Sequence, residues 1–303
     1  MDNRFHGVVA ALVTPFDSRG EFNEKAYRQV MEHGINASVD GFWIAGGTGE
    51  SVLLTDDEVI RIAHVSADQS RGRAKTIVHV GALTTRSAVR IARAAHEAGV
   101  DAVSCVPPFF YRPSDQALVD YYRAVAEAAG LPFFVYNQPR YTGVEITPAL
   151  MEKIKASVPQ LAGVKHSAPD FHNVRRFANM DLTVFTGSGS LFLATLAAGG
   201  HGVVDGPLTV GPELWVGMYR AYREGDMKRA QALQEQGCKL VDLAGAYGMQ
   251  ATCKALAKAR LGIDCGAPRL PIPALTEAQT RDLLKDAEKI GVLKAAKAAR
   301  AAS

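Results

Sequence analysis

Eight short β-rich runs recur along the first two-thirds of the chain, each followed by a helical pattern, and no other feature restricts the fold as tightly. The runs are Val8 to Val13, Gly41 to Ala45, Thr76 to Val80, Ala102 to Val106, Phe133 to Tyr136, Leu161 to Lys165, Leu182 to Thr186 and Gly202 to Val204. Between them, Thr55-Asp56-Asp57-Glu58, Ser114-Asp115 and Thr147-Pro148 carry helix-start chemistry: a side-chain oxygen caps the unpaired first amides, and an acid or proline suits the first turn. Glu97-Ala98-Gly99 and Ala129-Gly130 supply glycines that end helices. Apolar strands alternating with helices imply a parallel sheet covered by helices, and eight such units imply a closed (β/α)8 TIM barrel. In that architecture every loop after a strand emerges on one face, so the residues that end strands converge on one pocket.

Residues 1–225 are therefore expected to form the barrel, and residues 226–303 a C-terminal helical extension packed on it. The extension divides into Asp226 to Asp242, Gln250 to Leu261 and Thr276 to Ala299, separated by Gly and Pro, notably in the Gly266 to Pro273 segment. Lys289, Lys294, Lys297 and Arg300 gather where cations complement a helix C-terminus. A net charge of +3 over 303 residues, without interleaved aromatic and basic residues, gives no electrostatic footing for nucleic acid. No run approaches the ~18 apolar residues of a membrane span, and Met1 to His6 lacks the apolar segment of a signal peptide. A soluble cytoplasmic protein with neither membrane nor nucleic-acid partner is expected. Cys105, Cys238, Cys253 and Cys265 are too widely spaced for a zinc or redox pair and read as reduced thiols, Cys105 as a core residue of the fourth strand.

Two strand-end residues carry the chemistry. Lys165 closes Leu161-Ala162-Gly163-Val164, where apolar surroundings disfavour the ammonium and so free an amine for imine formation. Tyr136 closes Phe133-Phe134-Val135, and a phenol there can relay protons while a carbinolamine forms and dehydrates and a carbon-carbon bond is made or broken. After the second strand, Ala45-Gly46-Gly47-Thr48-Gly49-Glu50-Ser51 lets backbone amides and the Thr48 hydroxyl approach a carboxylate. It matches neither a Walker loop nor a dinucleotide fingerprint. Two competing readings stand beside imine chemistry. His79, His166 and His201 near strand ends suggest a metal-dependent barrel hydrolase or class II aldolase, although no paired-histidine spacing accompanies them. A non-catalytic 2-keto acid binder or regulator is the other.

Gly46-Gly47-Thr48-Gly49-Glu50, Tyr136-Asn137-Gln138-Pro139 with Thr142-Gly143, and Gly163-Val164-Lys165 together resemble the dihydrodipicolinate synthase and N-acetylneuraminate lyase family, over nearly the whole chain. The resemblance implies a class I, pyruvate-type aldolase or lyase. Lys165 would form the Schiff base with a 2-keto acid, Tyr136 would relay protons, and the Gly47-Thr48 loop would hold the carboxylate. It implies no metal and no organic cofactor, and a homotetramer built as a dimer of dimers, with an aromatic residue after strand four entering the neighbouring site. Against the family pattern, Gly47 replaces a relay hydroxyl, and Phe110 stands where the inserted tyrosine belongs, with Tyr111 as a substitute. Tyr141 occupies the position of the synthase's substrate-binding arginine, with Arg140 adjacent. The lyase branch is echoed in Tyr141-Thr142-Gly143-Val144 and Lys165-His166-Ser167, but its acidic pair for the sugar polyol is here Gly189-Ser190, within Gly187-Ser188-Gly189-Ser190. Small hydroxyl residues at that helix start could bind an anion instead. Glu50, His166, Ser188, Ser190 and Val204, at the close of the eighth strand, complete the expected substrate contacts. The departures favour a shorter 2-keto-3-deoxy sugar acid or related 2-keto acid, cleaved or dehydrated through the imine, over dihydrodipicolinate synthesis or sialate cleavage. The positions of the family's lysine-feedback site are here Asp56, Val59, Leu83, Ser87 and Phe109, so no lysine inhibition is expected.

Overall fold

A computed structural model describes residues 5–293. Eight parallel strands close a barrel in sequential order: β1 Gly7–Ala11, β2 Gly41–Ile44, β3 Lys75–His79, β4 Ala102–Cys105, β5 Phe133–Asn137, β6 Leu161–His166, β7 Thr183–Thr186 and β8 Gly202–Asp205. The intervening helices are α1 Glu24–Asn36, α2 Asp56–Ser70, α3 Thr85–Glu97, α4 Asp115–Ala129, the single turn α5 Pro139–Thr142, α6 Pro148–Ser157, α7 Asn173–Ala178 and α8 Phe192–Ala197. After β8 come α9 Pro212–Arg223, α10 Met227–Tyr247, α11 Met249–Leu256 and α12 Glu277–Lys289. The starts expected from sequence are built as such: Thr55 and Glu58 make a reciprocal capping box on α2, and Ser114 and Thr147 cap α4 and α6 through their side chains. Gly130 ends α4 in the left-handed conformation.

Strand alternation sorts side chains into two cores. Val8, Phe42, Ile44, Val78, Val103, Val135, Val164 and Val203 face outward into the helix layer. Val9, Ala11, Trp43, Ile77, Phe134, Tyr136, Phe185 and Val204 fill the barrel interior. The Val204 side chain is thus part of this packed interior. Cys105 is buried in the outer core, and all four cysteines are free thiols.

The C-terminal helices pack on the barrel, α10 chiefly against α9 and α11 against the turn that follows β8. The last expected helix, Thr276 to Ala299, is seen as α12 to Lys289; Lys294, Lys297 and Arg300 lie outside the described residues. Among the described residues no helix is long and apolar enough to cross a membrane. The extension is latched to the loop after β2 and to the first turn of α2 by two ion pairs. Arg269 grips Glu58 with two bonds of 2.7 and 2.9 Å and also donates to the Leu53 and Gly20 carbonyls. The Lys254 ammonium lies 2.7 Å from the Glu50 carboxylate, both side chains being almost wholly buried, while the second Glu50 oxygen accepts the Arg269 amide. Removing one partner of such a pair strands a charge in the interior. Lys254→Met is therefore expected to cost ~3–5 kcal/mol of folding stability, to be read as a lowered urea midpoint; an unchanged midpoint would mean that Glu50 finds another partner.

Candidate active site

Strand register brings the two candidate residues side by side: Tyr136 on β5 pairs directly with Lys165 on β6. Both point inward, as alternation from Phe134 and Gly163 requires. The Lys165 amine lies 4.3 Å from the centre of the Tyr136 ring and 5.0 Å from that of Trp43, whose rings meet edge to face. Burial among these rings lowers the Lys165 pKa to about 7, against an opposing pull from the Asp205 carboxylate. A substantial fraction of the amine is consequently unprotonated near neutrality, which imine formation requires. The Tyr136 phenol is pushed up to about 12, first by burial; Gln138 and Ser167 beside it favour the phenolate, and the charge of Asp205 opposes it. It remains a hydroxyl, and hence a proton donor, at neutral pH. His79 packs edge-on against Tyr136 and is held neutral, its pKa lowered to about 4 by burial and by the Lys165 charge, while its Nε2 accepts the Val106 amide.

A cavity of about 330 Å³ is lined by Tyr136 and Gly47; Lys165, beside Tyr136, is not among its lining residues. The loop that brings Gly47 there is sharply bent: Ala45 and Glu50 on either side adopt positive φ, and the Trp43 indole leaves no space for a Cβ at Gly46. At Gly47 there is space. An added Cβ would lie 3.7 Å from the Tyr136 hydroxyl, so the missing relay hydroxyl leaves an open cleft beside the phenol. Thr48 turns its hydroxyl toward Gly206, after β8.

Several expected contacts stand elsewhere. Glu50 contributes to the cavity edge, but its carboxylate is committed to Lys254 and the Arg269 amide, so it anchors the loop and is not free for substrate. His166 alternates outward from Lys165; its Nδ1 meets the Asn137 amide and its Nε2 the Asp170 carbonyl, so neither ring nitrogen is offered to the cavity. Arg140 is exposed and does not line the cavity, whereas Tyr141 does. Phe110 and Tyr111 are exposed and meet edge to face, and of the aromatics after β4 it is Phe109 that lines the cavity. Ser167 sits beside the Tyr136 phenol, its hydroxyl short of hydrogen-bond geometry.

The turn after β7 does not take an external anion. Gly189 donates its amide to Asp205 at 2.7 Å, so the anion at that turn is the protein's own carboxylate. Ser188 makes no side-chain cap there, and neither it nor Ser190 lines the cavity. Gly189 also packs on the Trp215 indole so closely that a Cβ would lie 2.9 Å from the ring. An acidic side chain cannot be accommodated at that position without moving Trp215. His79, His166 and His201 do not converge either. His201 lies at the opposite end of its strand, receiving the Val184 amide, and among the described residues no group of three or more His, Cys, Asp or Glu is placed to hold a metal ion.

Trp43, Gln138, Gln250 and Asp205 stand at the candidate site without having been singled out in the sequence, and Phe109, read there as a feedback-site position, lines the cavity as well. Trp43 and Asp205 were open to discovery, since both lie near the C-terminal ends of strands; Gln250 comes from the helical extension and donates to the Gly47 carbonyl at 3.1 Å, which only the folded chain reveals.

The Dihydrodipicolinate synthetase family model matches residues 4–290. The chain is 35% identical over 232 residues to a 4-hydroxy-tetrahydrodipicolinate synthase of Maridesulfovibrio salexigens, covering 76% of this chain and 79% of that protein. It is 32% identical over 246 residues to an N-acetylneuraminate lyase of Citrobacter koseri, covering 80% and 82%. Among solved structures it is similar to the Proteus mirabilis N-acetylneuraminate lyase, with TM-score 0.90, 26% identity and coverage of 95% of this chain and 99% of that one. The Aquifex aeolicus dihydrodipicolinate synthase superposes with TM-score 0.89 at 27% identity, covering 95% and 99%.

Proposed function

The chain belongs to the dihydrodipicolinate synthetase family and is a lyase, and we propose that it joins pyruvate to an aldehyde, or cleaves the resulting 2-keto-3-deoxy acid, through an imine on Lys165. The observation that carries this reading is the pairing on adjacent strands of Lys165, its amine 4.3 Å from the Tyr136 ring centre, with Tyr136, which lines an open cavity. The unprotonated amine attacks the keto carbon. Tyr136 donates the proton with which the carbinolamine loses water, and in the cleavage direction its oxygen receives the proton of the C4 hydroxyl as the C3–C4 bond breaks and its electrons pass into the iminium. The reaction draws on the lysine alone as electron sink, without a metal or organic cofactor. Borohydride reduction in the presence of pyruvate, followed by mass spectrometry of the Lys165 peptide, tests the reading; absence of an adduct with any 2-keto acid would overturn it.

Neither relative's reaction is assigned to this chain. Tyr141 and the exposed Arg140 argue against holding a second carboxylate, and Gly189 packed on Trp215 argues against a sialate polyol. The protein acts in the cytoplasm as a homotetramer, a dimer of dimers. Val52, Leu83, Phe110 and Tyr111, from the loops after β2, β3 and β4, are exposed apolar side chains that such an assembly would cover.

A second cavity of about 230 Å³ lies between those loops and gathers Asp56, Val59, Leu83, Ser87 and Phe109, the positions corresponding to a lysine-feedback site. Its lining is mainly apolar, and the Asp56 carboxylate faces Arg90 at 3.5 Å. Nothing there supplies separate partners for a free amino acid's ammonium and carboxylate. Millimolar L-lysine is expected to leave turnover unchanged, and dose-dependent inhibition would show that the cavity binds it after all.

A further inference from the structure

We infer that the aldehyde half of the active site takes an apolar partner, an aryl or branched-alkyl aldehyde, and not a polyol or a charged aldehyde. This rests on the imine chemistry proposed above and specifies the partner, displacing the sugar-acid expectation drawn from sequence.

The walls rising from Tyr136 toward solvent are Val52, Leu53, Val106, Phe109, Tyr141 and Ile272. Val52 and Tyr141, 70% and 71% exposed in the single chain, rim the mouth of the cavity. What distinguishes the cavity is how little of its polar complement remains available. The Thr142 hydroxyl lies 3.1 Å from the carbonyls of Gln138 and Val144, to either of which its one proton can be donated, and it accepts the Val144 amide. Gln250 gives its amide to the Gly47 carbonyl, His79 Nε2 accepts from Val106, and Glu50 is held by Lys254 and the Arg269 amide. Among the lining side chains, the Tyr136 and Tyr141 hydroxyls, Gln138 and Ser51 are left, and the reaction itself uses the first. A polyhydroxylated chain entering here would exchange its hydration for apolar wall, leaving hydroxyls without partners. An aryl or branched-alkyl group would bury against the same wall and gain by it.

The Gly189 backbone, where the lyase branch carries its acidic pair, is already engaged. At the turn after β7, the Gly189 amide is taken by Asp205, and its carbonyl by Trp215 Nε1 at 3.0 Å and Gln234 Nε2 at 2.8 Å. The geometry thus leaves the apolar wall as the surface on which the substituent at C4 can rest. In the cleavage direction the substrate is a 4-hydroxy-2-keto acid with an apolar group on C4. Its C3–C4 bond breaks, the C4 hydroxyl proton passes to Tyr136, and the apolar aldehyde leaves. The remaining enamine takes a proton at C3, and water hydrolyses the imine to pyruvate and the free lysine.

The test compares kcat/KM for condensation of pyruvate with benzaldehyde, isobutyraldehyde, glyceraldehyde, erythrose and aspartate semialdehyde, alongside borohydride trapping of pyruvate on the same preparation. Benzaldehyde or isobutyraldehyde is expected to exceed the others by on the order of 10²-fold, the discrimination an apolar pocket can supply against partners it cannot pair. Ile272→Asn is expected to lower the benzaldehyde-to-glyceraldehyde ratio about tenfold. If pyruvate is trapped on Lys165 but a polyol or charged aldehyde is preferred, or no apolar aldehyde is consumed, the partner assignment is overturned and the imine stands. If pyruvate is not trapped, the imine reading fails as well.

Discussion

Lys165→Ala is expected to abolish borohydride-dependent capture of pyruvate and to lower kcat by ~10⁴-fold or more, the scale seen when a covalent nucleophile is removed. The amine is buried against two aromatic faces at the centre of the barrel mouth, and no second lysine ends a strand beside Tyr136. Capture by the wild-type protein should depend on pH in a definite direction. Because burial lowers the Lys165 pKa to about 7, the amine is protonated and unreactive below that value and free above it, so the rate of capture should rise with pH with a midpoint near 7. A midpoint in the ordinary lysine range would mean that the amine is hydrated in the working enzyme. Retention of the pyruvate adduct in the alanine variant would place the chemistry on another residue. Lys165→Met, which keeps most of the side-chain volume, separates loss of the amine from loss of packing.

Tyr136→Phe should lower kcat by ~10²–10⁴-fold while leaving the fold intact, since only the hydroxyl is removed and the ring retains its contacts with Trp43 and His79. Adduct formation on Lys165 should persist at a reduced rate, because the phenol serves proton transfer and the amine makes the bond. The effect belongs in kcat more than in KM, for the hydroxyl is needed as protons move and contributes little to holding pyruvate. An unaltered kcat would remove the phenol from the relay and turn attention to Ser167 and Gln138, which flank it. With Gly47 in place of a relay hydroxyl, these two neighbours are the polar side chains nearest the phenol's proton.

Different residues were legible in the sequence to different degrees, and for physical reasons. The capping box at Thr55 and Glu58 and the cap at Ser114 could be read directly because each is satisfied within one helical turn. The pairing of Lys165 with Tyr136 could be anticipated because barrel strands follow one another in order and side-chain direction alternates with period two. The same period, applied one residue further, puts His166 outside the barrel, against Asn137 and Phe177. Glu50 could not be judged this way. Its loop carries two positive-φ residues, and its partner Lys254 lies 204 positions later.

By itself, then, the sequence determined the barrel, the place of its strand-end lysine and phenol, and the family, because these depend on local propensity, strand alternation and motifs of a few residues. Tertiary structure alone decided which polar groups remain free for a substrate. Gly189 lost both its amide and its carbonyl to Asp205, Trp215 and Gln234, and Glu50 lost its carboxylate to Lys254 and the Arg269 amide. Those pairings join residues far apart in the chain, under the rule that a buried polar group must find a partner wherever the fold provides one. The proposed substrate preference rests on what that rule leaves unpaired, and composition and spacing carry no record of it.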